Sequence, residues 1–299
     1  MTGVAIAFAS TTRDLLGEGT LWDAEAQVLY WIDALAPCIH RLHPATGARR
    51  RWDLPDAVGS IGLAQPGRLL VALRDGFYAF DLETSALRPL ALPEPEVQGV
   101  RFNDGKMDRQ GRFLCGTLEL HRSPPPPAQP LGKLFRLNPD LSCDVLETGV
   151  RISNALCFSP AGDVLYFADS LASAVWAYDY DGATGNTANR RVLADTKAIG
   201  SAPDGATVDA EGFLWVALVQ TGQLGRFAPD GRLDRTIDLP IPFPTCPAFG
   251  GPALDTLYCT AISDSGGRLK TDHADGGRLL AITGLGVAGL PEARFGAML

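Results

Sequence analysis

Four short stretches present oxygen donors in one recurring setting. They are "LGEGTLWD" with Glu18, "RFNDGK" with Asn103, "ISNAL" with Asn154 and "APDGATVD" with Asp204. Two of these side chains are carboxylates and two are amides. Carboxylates that converge with no cation between them repel, and one must take up a proton. A bound divalent ion removes the conflict. An all-oxygen donor set suits hard ions such as Ca²⁺, Mg²⁺ or Mn²⁺; Zn²⁺ and Fe²⁺ also accept carboxylates. The competing reading makes all four turn residues. Asp or Asn before Gly is a common turn former, which covers "NDG" and "PDG" but covers "GEG" poorly.

The elements that would position these residues show as a repeat. Six runs share a turn followed by an apolar segment: "QVLYWIDA", "RLLVALRD", "RFLCGTLE", "VLYFADSL", "FLWVALVQ" and "TLYCTAIS". Aligned on Leu29, Leu69, Phe113, Leu165, Leu214 and Leu257, they are spaced by 40, 44, 52, 49 and 43 residues. Most are followed by a second strand-like segment ending in a turn, such as "VWAYDYDGATG" and "LGRFAPDG". Alternating patterns with DG and TG endings fit half-buried strands joined by hairpins. Units of this length, each with room for four short strands, predict an all-β, six-bladed propeller spanning residues 1–299 as one domain. The N-terminal strand is expected to complete the blade formed by "GGRLLAITGL", closing the ring.

The repeat gives the four donors a common register. A step of ten or eleven residues back from the aligned positions reaches Glu18, Gly59, Asn103, Asn154 and Asp204, and Cys246 or Pro247 in the last unit. Equivalent positions in a propeller point to equivalent places around its axis. The donors should therefore meet near one end of the central channel, a convergence that the turn reading leaves unexplained.

Composition narrows the partners. The chain of 299 residues has 33 Gly and 22 Pro, as many turns between short strands require, and a net charge of −8. That charge argues against nucleic acid or an anionic membrane surface. No apolar run approaches the ~20 residues of a membrane span, and "MTGVAIAFASTTRD" is expected to be a strand and not a signal peptide. The six cysteines include no CxxC pair and read as reduced core residues of a cytoplasmic protein. A monomer acting on a small molecule is the expectation.

The motifs resemble those of the SMP-30/gluconolactonase family. The similar stretches are "LGEGTLWD", "LYWIDA", "RFNDGKMDRQGRFLCGTL", "ISNALCFSPAGDVLYFADS", "YDYDGATG", "PDGATVDAEGFLWVAL" and "GGRLLAITGLGVAG", in the family's order over nearly the whole chain. The resemblance implies one divalent metal in the channel, held by Glu18, Asn154 and Asp204. It implies substrate contacts from Arg101 and Asn103, and hydrolysis of a sugar lactone to its aldonic acid. One departure bears on substrate choice. Regucalcin-like members carry a Glu a few residues after the "GT" strand, whereas "GTLELHRSPPPP" has His121 there and Glu119 two residues earlier. Both are candidate substrate contacts.

Asp204 is the expected general base, with Asp104 as second candidate or a plain turn residue. Arg101 can bridge two sugar oxygens with its fork, or pair with a neighbouring blade. The proline run after His121 reads as a stiff wall or lid beside the substrate, or as a surface loop. "GLGVAG" at Gly284 to Gly289 leaves no room for a βαβ unit, so it is no dinucleotide fingerprint. His40 and His43 lie on opposite faces of a strand. "DYDGATGNTANR" lacks the closing acid of a calcium loop. Two other functions share the scaffold: hydrolysis of non-sugar lactones or organophosphate esters, and calcium binding without catalysis.

Overall fold

The computed structural model describes residues 3–93, 99–120 and 129–299. Its first strand, β1 (Ala5–Arg13), waits for the end of the chain. Blade one follows as β2 (Gly17–Asp23), β3 (Val28–Asp33), β4 (Cys38–His43) and β5 (Ala48–Asp53). Blade two is β6 (Val58–Leu63), β7 (Arg68–Leu73), β8 (Phe77–Asp81) and β9 (Leu87–Ala91). Blade three is β10 (Val100–Met107), β11 (Phe113–Glu119), β12 (Gly132–Leu137) and β13 (Cys143–Val150). Blade four is β14 (Ser153–Phe158), β15 (Val164–Asp169), β16 (Ala174–Tyr180) and β17 (Thr187–Asp195). Blade five is β18 (Pro203–Val208), β19 (Leu214–Leu218), β20 (Gln223–Phe227) and β21 (Leu233–Asp238). Blade six is β22 (Pro244–Gly250), β23 (Thr256–Ala261) and β24 (Arg278–Thr283), completed by β1. Ala5 pairs with Thr283 and Phe8 with Leu280, so the two ends of the chain close the ring as expected.

Burial falls from the axis outward. The inner strand "VGSIGL" is buried at every residue, whereas the outer strand "ARRRWD" buries only Trp52. Arg49, Arg50 and Arg51 on that outer edge discourage pairing with another sheet. Aromatic pairs fill the seams between blades. Phe77 meets Phe102 at 4.7 Å, Trp22 stacks on Tyr258 at 6.1 Å, and Trp215 meets Phe249 edge-on at 6.2 Å. Each such pair adds about 0.5–1.5 kcal/mol beyond its buried area. No helix among the described residues is long and apolar enough to cross a membrane.

The closure carries a buried charge pair. His40 Nε2 lies 3.1 Å from the Asp14 carboxylate and 3.2 Å from Cys38 Sγ, and its ring stacks on Trp31. Burial alone would lower the imidazole's pKa, but the hydrogen bonds to Asp14 and Cys38 outweigh it and raise the value to about 9. The unfolded value is near 6.5. The pair's contribution, on the order of 3 kcal/mol, is therefore complete below about pH 6.5 and is lost as pH rises through about 9. Thermal melts should show wild type losing its advantage over His40→Gln between pH 6.5 and 9.5. A constant gap would contradict the assignment.

Candidate functional site

Each inner strand enters the ring with a β-bulge at the same place. The register slips between Glu18 and Leu21, Val58 and Ser60, Phe102 and Gly105, Asn154 and Cys157, Pro203 and Ala206, and Pro244 and Pro247. A bulge re-aims side chains and sharpens the local twist. The residues that follow Glu18 and Asn154, Gly19 (φ 58°) and Ala155 (φ 54°), both take the left-handed conformation. At the bulge stand Glu18, Gly59, Asn103, Asn154, Asp204 and Thr245, one from each blade: Glu18 and Asn154 in the last regular pair before it, the other four one residue past that pair. In blade six this position belongs to Thr245, in place of the expected Cys246 or Pro247. Pro247 instead pairs with Cys259 below the bulge.

The side chains at this level are joined by hydrogen bonds. Arg101 Nη1 donates to Phe102 O at 2.8 Å and to Asn103 Oδ1 at 3.0 Å. Asn103 Nδ2 donates to Asn154 Oδ1 at 3.1 Å and to Ser153 O at 2.9 Å. Asn154 Nδ2 donates to Ser170 Oγ, whose hydroxyl donates to Pro203 O. Asn154 also hydrogen-bonds Asp204 and pulls its pKa down. Thr245 is committed to the wall, its hydroxyl donating to Gly17 O and lying 2.9 Å from Thr260 Oγ1.

Two further aspartates hold the approaches to the site. Asp33 accepts from the Leu15 and Leu16 N–H groups, just before Glu18. Asp169 accepts from those of Arg151 and Ile152, just before Asn154. Sequence reasoning missed both, though the signal was present: each lies four residues past its aligned leucine, in "LYWID" and "LYFAD".

Electrostatics sets the site apart from the rest of the channel. Burial, then the Asp204 and Asp104 carboxylates, push Glu18 well above the usual carboxylate range, against the pull of Arg101. Burial and Asp104 push Asp204 up to about 8. Asp104 is raised by burial to about 6, although it accepts the Leu156 N–H at 2.8 Å. Burial lowers Arg101 to about 10. Glu18 and Asp204 thus share the field of Arg101 while Asp104 sees Lys106, and the three carboxylates cannot all ionise freely. Among the described residues no group of three or more His, Cys, Asp or Glu forms a metal cluster. The donors that could hold an ion are therefore mixed: carboxylates from Glu18 and Asp204 and the amide oxygen of Asn154. Such a set, short of positive charge, fits a hard divalent cation.

Gly59 is the level's empty place. A Cβ there would lie 2.4 Å from the Phe102 carbonyl and 2.6 Å from Asn103 N. Glycine lets β10 come close enough to present Arg101 and Asn103. Gly59→Ala should cost about 1–3 kcal/mol by overpacking, read as a drop in melting temperature. An unchanged melting temperature would show that the two blades have slack.

Glu119 is fully buried, and both its oxygens are engaged, by Leu131 N–H at 2.6 Å and by Arg151 Nη1 at 2.9 Å. Leu131 follows the proline run, so Glu119 ties that run's far end to blade three. His121 and the prolines up to Pro127 lie outside the described residues. Below the site, Asp104, Thr20, Ser60, Lys106, Cys246 and Glu292 line a cavity of about 20 Å³, room for a single water. A half-buried Lys106–Glu292 ion pair crosses its lining. The C-terminal segment closes this far end: Phe295 N–H donates to Leu63 O, and Arg294 reaches Ala64 O, Asp23 and Glu25.

The chain resembles known proteins over its full length. The family described as SMP-30/Gluconolactonase/LRE-like region matches residues 16–263. Regucalcin of Xenopus laevis is 34% identical over 297 residues, covering 99% of each chain. The 6-deoxy-6-sulfogluconolactonase of Pseudomonas putida is 37% identical over 252 residues, 84% of each. The solved structure of the calcium-binding protein regucalcin from Agrobacterium tumefaciens superposes with a TM-score of 0.88 at 28% identity, covering 96% of both chains. A family match over most of the chain, joined by relatives above 30% identity along its length, places it: the chain belongs to the SMP-30/gluconolactonase/LRE-like family.

Proposed function

We propose that the protein is a divalent-metal-dependent lactonase that opens a sugar lactone to its aldonic acid. The observation that carries this is the convergence of Glu18, Asn154 and Asp204 at one level of the channel, with Arg101 and Asn103 beside them. Relatives named as sugar lactonases support the reaction class. A divalent ion held by Glu18, Asn154 and Asp204 would supply Lewis acidity toward the lactone carbonyl.

The protein's own groups do the rest. Asn103, hydrogen-bonded to Asn154, faces the carbonyl edge, and Arg101 holds ring substituents that point toward the mouth. Asp204 takes a proton from a water as that water's oxygen bonds to the carbonyl carbon. The bond from that carbon to the ring oxygen then breaks, and Asp204 returns the proton to the leaving oxygen. With one oxygen on the ion, Asp204 would carry the proton between the two halves of this exchange on its other oxygen. Asp104, hydrogen-bonded to Leu156, stands behind the site as a second proton acceptor. The substrate is a free small molecule, and a monomer suffices because all the named side chains come from one chain. All six thiols are free, which suits a reducing compartment such as the cytoplasm.

The test is proton release from aldonolactones, a simple non-sugar lactone and an organophosphate triester, with a divalent cation present. Aldonolactones should react fastest. If only the apolar esters react, the sugar assignment fails. If nothing reacts faster than in buffer, a non-catalytic binding propeller replaces it.

A further inference from the structure

The residues at the channel mouth specify more than a neutral sugar. We propose that Arg101, Arg268 and Arg74 form an anion subsite, so that the substrate is an aldonolactone bearing a phosphate or sulfonate remote from its carbonyl. The proposal rests on the lactonase reading and deepens it.

All three arginines lie at the end of the ring where the candidate metal donors stand. Arg101 pairs with Leu118 near the start of β10. Its Nη1 is used, but its Nε is buried with no hydrogen-bond partner among the described residues. An unsatisfied buried guanidinium nitrogen is costly and calls for an acceptor that binding would bring. Arg268 comes from the connection between β23 and β24 in blade six. Its Nη2 donates to Glu119 O at 3.1 Å, at the site end of blade three, three blades away around the ring. This connection therefore reaches across the mouth and brings Arg268, an exposed residue, to it. Arg74 directly follows Leu73, which pairs with Val58 beside Gly59. Asp56 holds its Nε at 2.9 Å and 3.1 Å, and its amino groups make no hydrogen bond among the described residues. Both outer arginines are near enough to Arg101 to lower its hold on a proton.

Gathering like charges costs energy, although a chain with a net charge of −8 has carboxylates that could have been paired with each of them. Among the described residues, Asp56 pairs with Arg74, and the buried Glu18 and Asp204 lie in the field of Arg101. Guanidinium groups donate and cannot accept. Sugar hydroxyls do both and are well served by mixed groups such as Asn103. Three donor-only cations match an acceptor-only group, and their forks suit a tetrahedral oxyanion. The deep carboxylates leave no place for such a group at the carbonyl end, so it faces the mouth.

The test is calorimetric binding of open-chain acids, which cannot be hydrolysed: 6-phosphogluconate and 6-deoxy-6-sulfogluconate against gluconate. Wild type should bind one or both of the doubly acidic ligands about tenfold or more tightly than gluconate. Arg268→Gln and Arg74→Gln should each shrink that preference several-fold, and Arg268→Lys should restore part of it. High salt should narrow the gap. Equal affinity for all three acids, or a preference untouched by both Gln variants, would overturn the subsite. Parallel kinetics on the matching lactones separate the two ideas. Preferential anion binding without turnover sinks the lactonase reading and leaves the subsite standing. Turnover of neutral and anionic lactones alike, with equal binding, does the reverse.

Discussion

Replacing Asp204 by Asn should lower kcat/KM for lactone opening about 10³-fold, the scale expected for loss of a positioned general base. The same change should make the metal-free protein more stable. Asp204 is buried, and its neighbour Asp104 helps lift it to about 8, far above the usual carboxylate value. Its folded-state pKa exceeds the unfolded value near 3.9, so folding takes up a proton there. Stability of the metal-free wild type should fall as pH rises from about 4 to about 8. The Asp204→Asn variant has no such slope from this position, and at pH 8 it should melt higher than wild type. Loss of activity with gain of stability marks a functional group; loss of both would make Asp204 a structural strut. Melting curves of metal-free wild type and Asp204→Asn at pH 5 and pH 8, beside initial rates, decide this.

Adding a binding divalent cation to metal-free protein near pH 7 should release protons, about one per ion. Glu18 and Asp204 hold protons more tightly than ordinary carboxylates, and a ligand carboxylate must give its proton up. The release should shrink as the pH is raised past about 8, where Asp204 is already ionised. Glu18→Gln should weaken binding about 100-fold or more, since removing even an outer-shell partner costs 10–100-fold. Calorimetry in two buffers of different ionisation enthalpy gives both quantities. No proton release, or undiminished affinity in Glu18→Gln, would place the ion elsewhere.

Much of the site was legible because a propeller converts sequence period into spatial register. Glu18, Asn154 and Asp204 fall on one level because each is the second residue of an inner strand, and the blade repeat records that in the chain. The count failed at Thr245, where a longer hairpin before β23 puts it twelve residues from Leu257 instead of ten or eleven. Glu119 shows a different limit. Its position beside the "GT" strand was readable, but its engagement by Arg151 and Leu131 depends on how two blades meet. The closure by Lys106, Glu292 and Arg294 was not readable at all. It joins residues 186 or more positions apart, and no local pattern encodes such a contact. Arg268 was hidden for the same reason, inside a connection whose "SDSGG" composition marks only a loop.

The most direct test of the central claim is lactone hydrolysis by metal-stripped protein, with Ca²⁺, Mg²⁺, Mn²⁺, Fe²⁺ or Zn²⁺ restored singly to wild type, Glu18→Gln and Asp204→Asn. Stripping should abolish hydrolysis, at least one ion should restore it to wild type, and neither variant should respond fully. Stripped protein that still opens lactones at the full rate would contradict the claim that Glu18, Asn154 and Asp204 hold a catalytic ion.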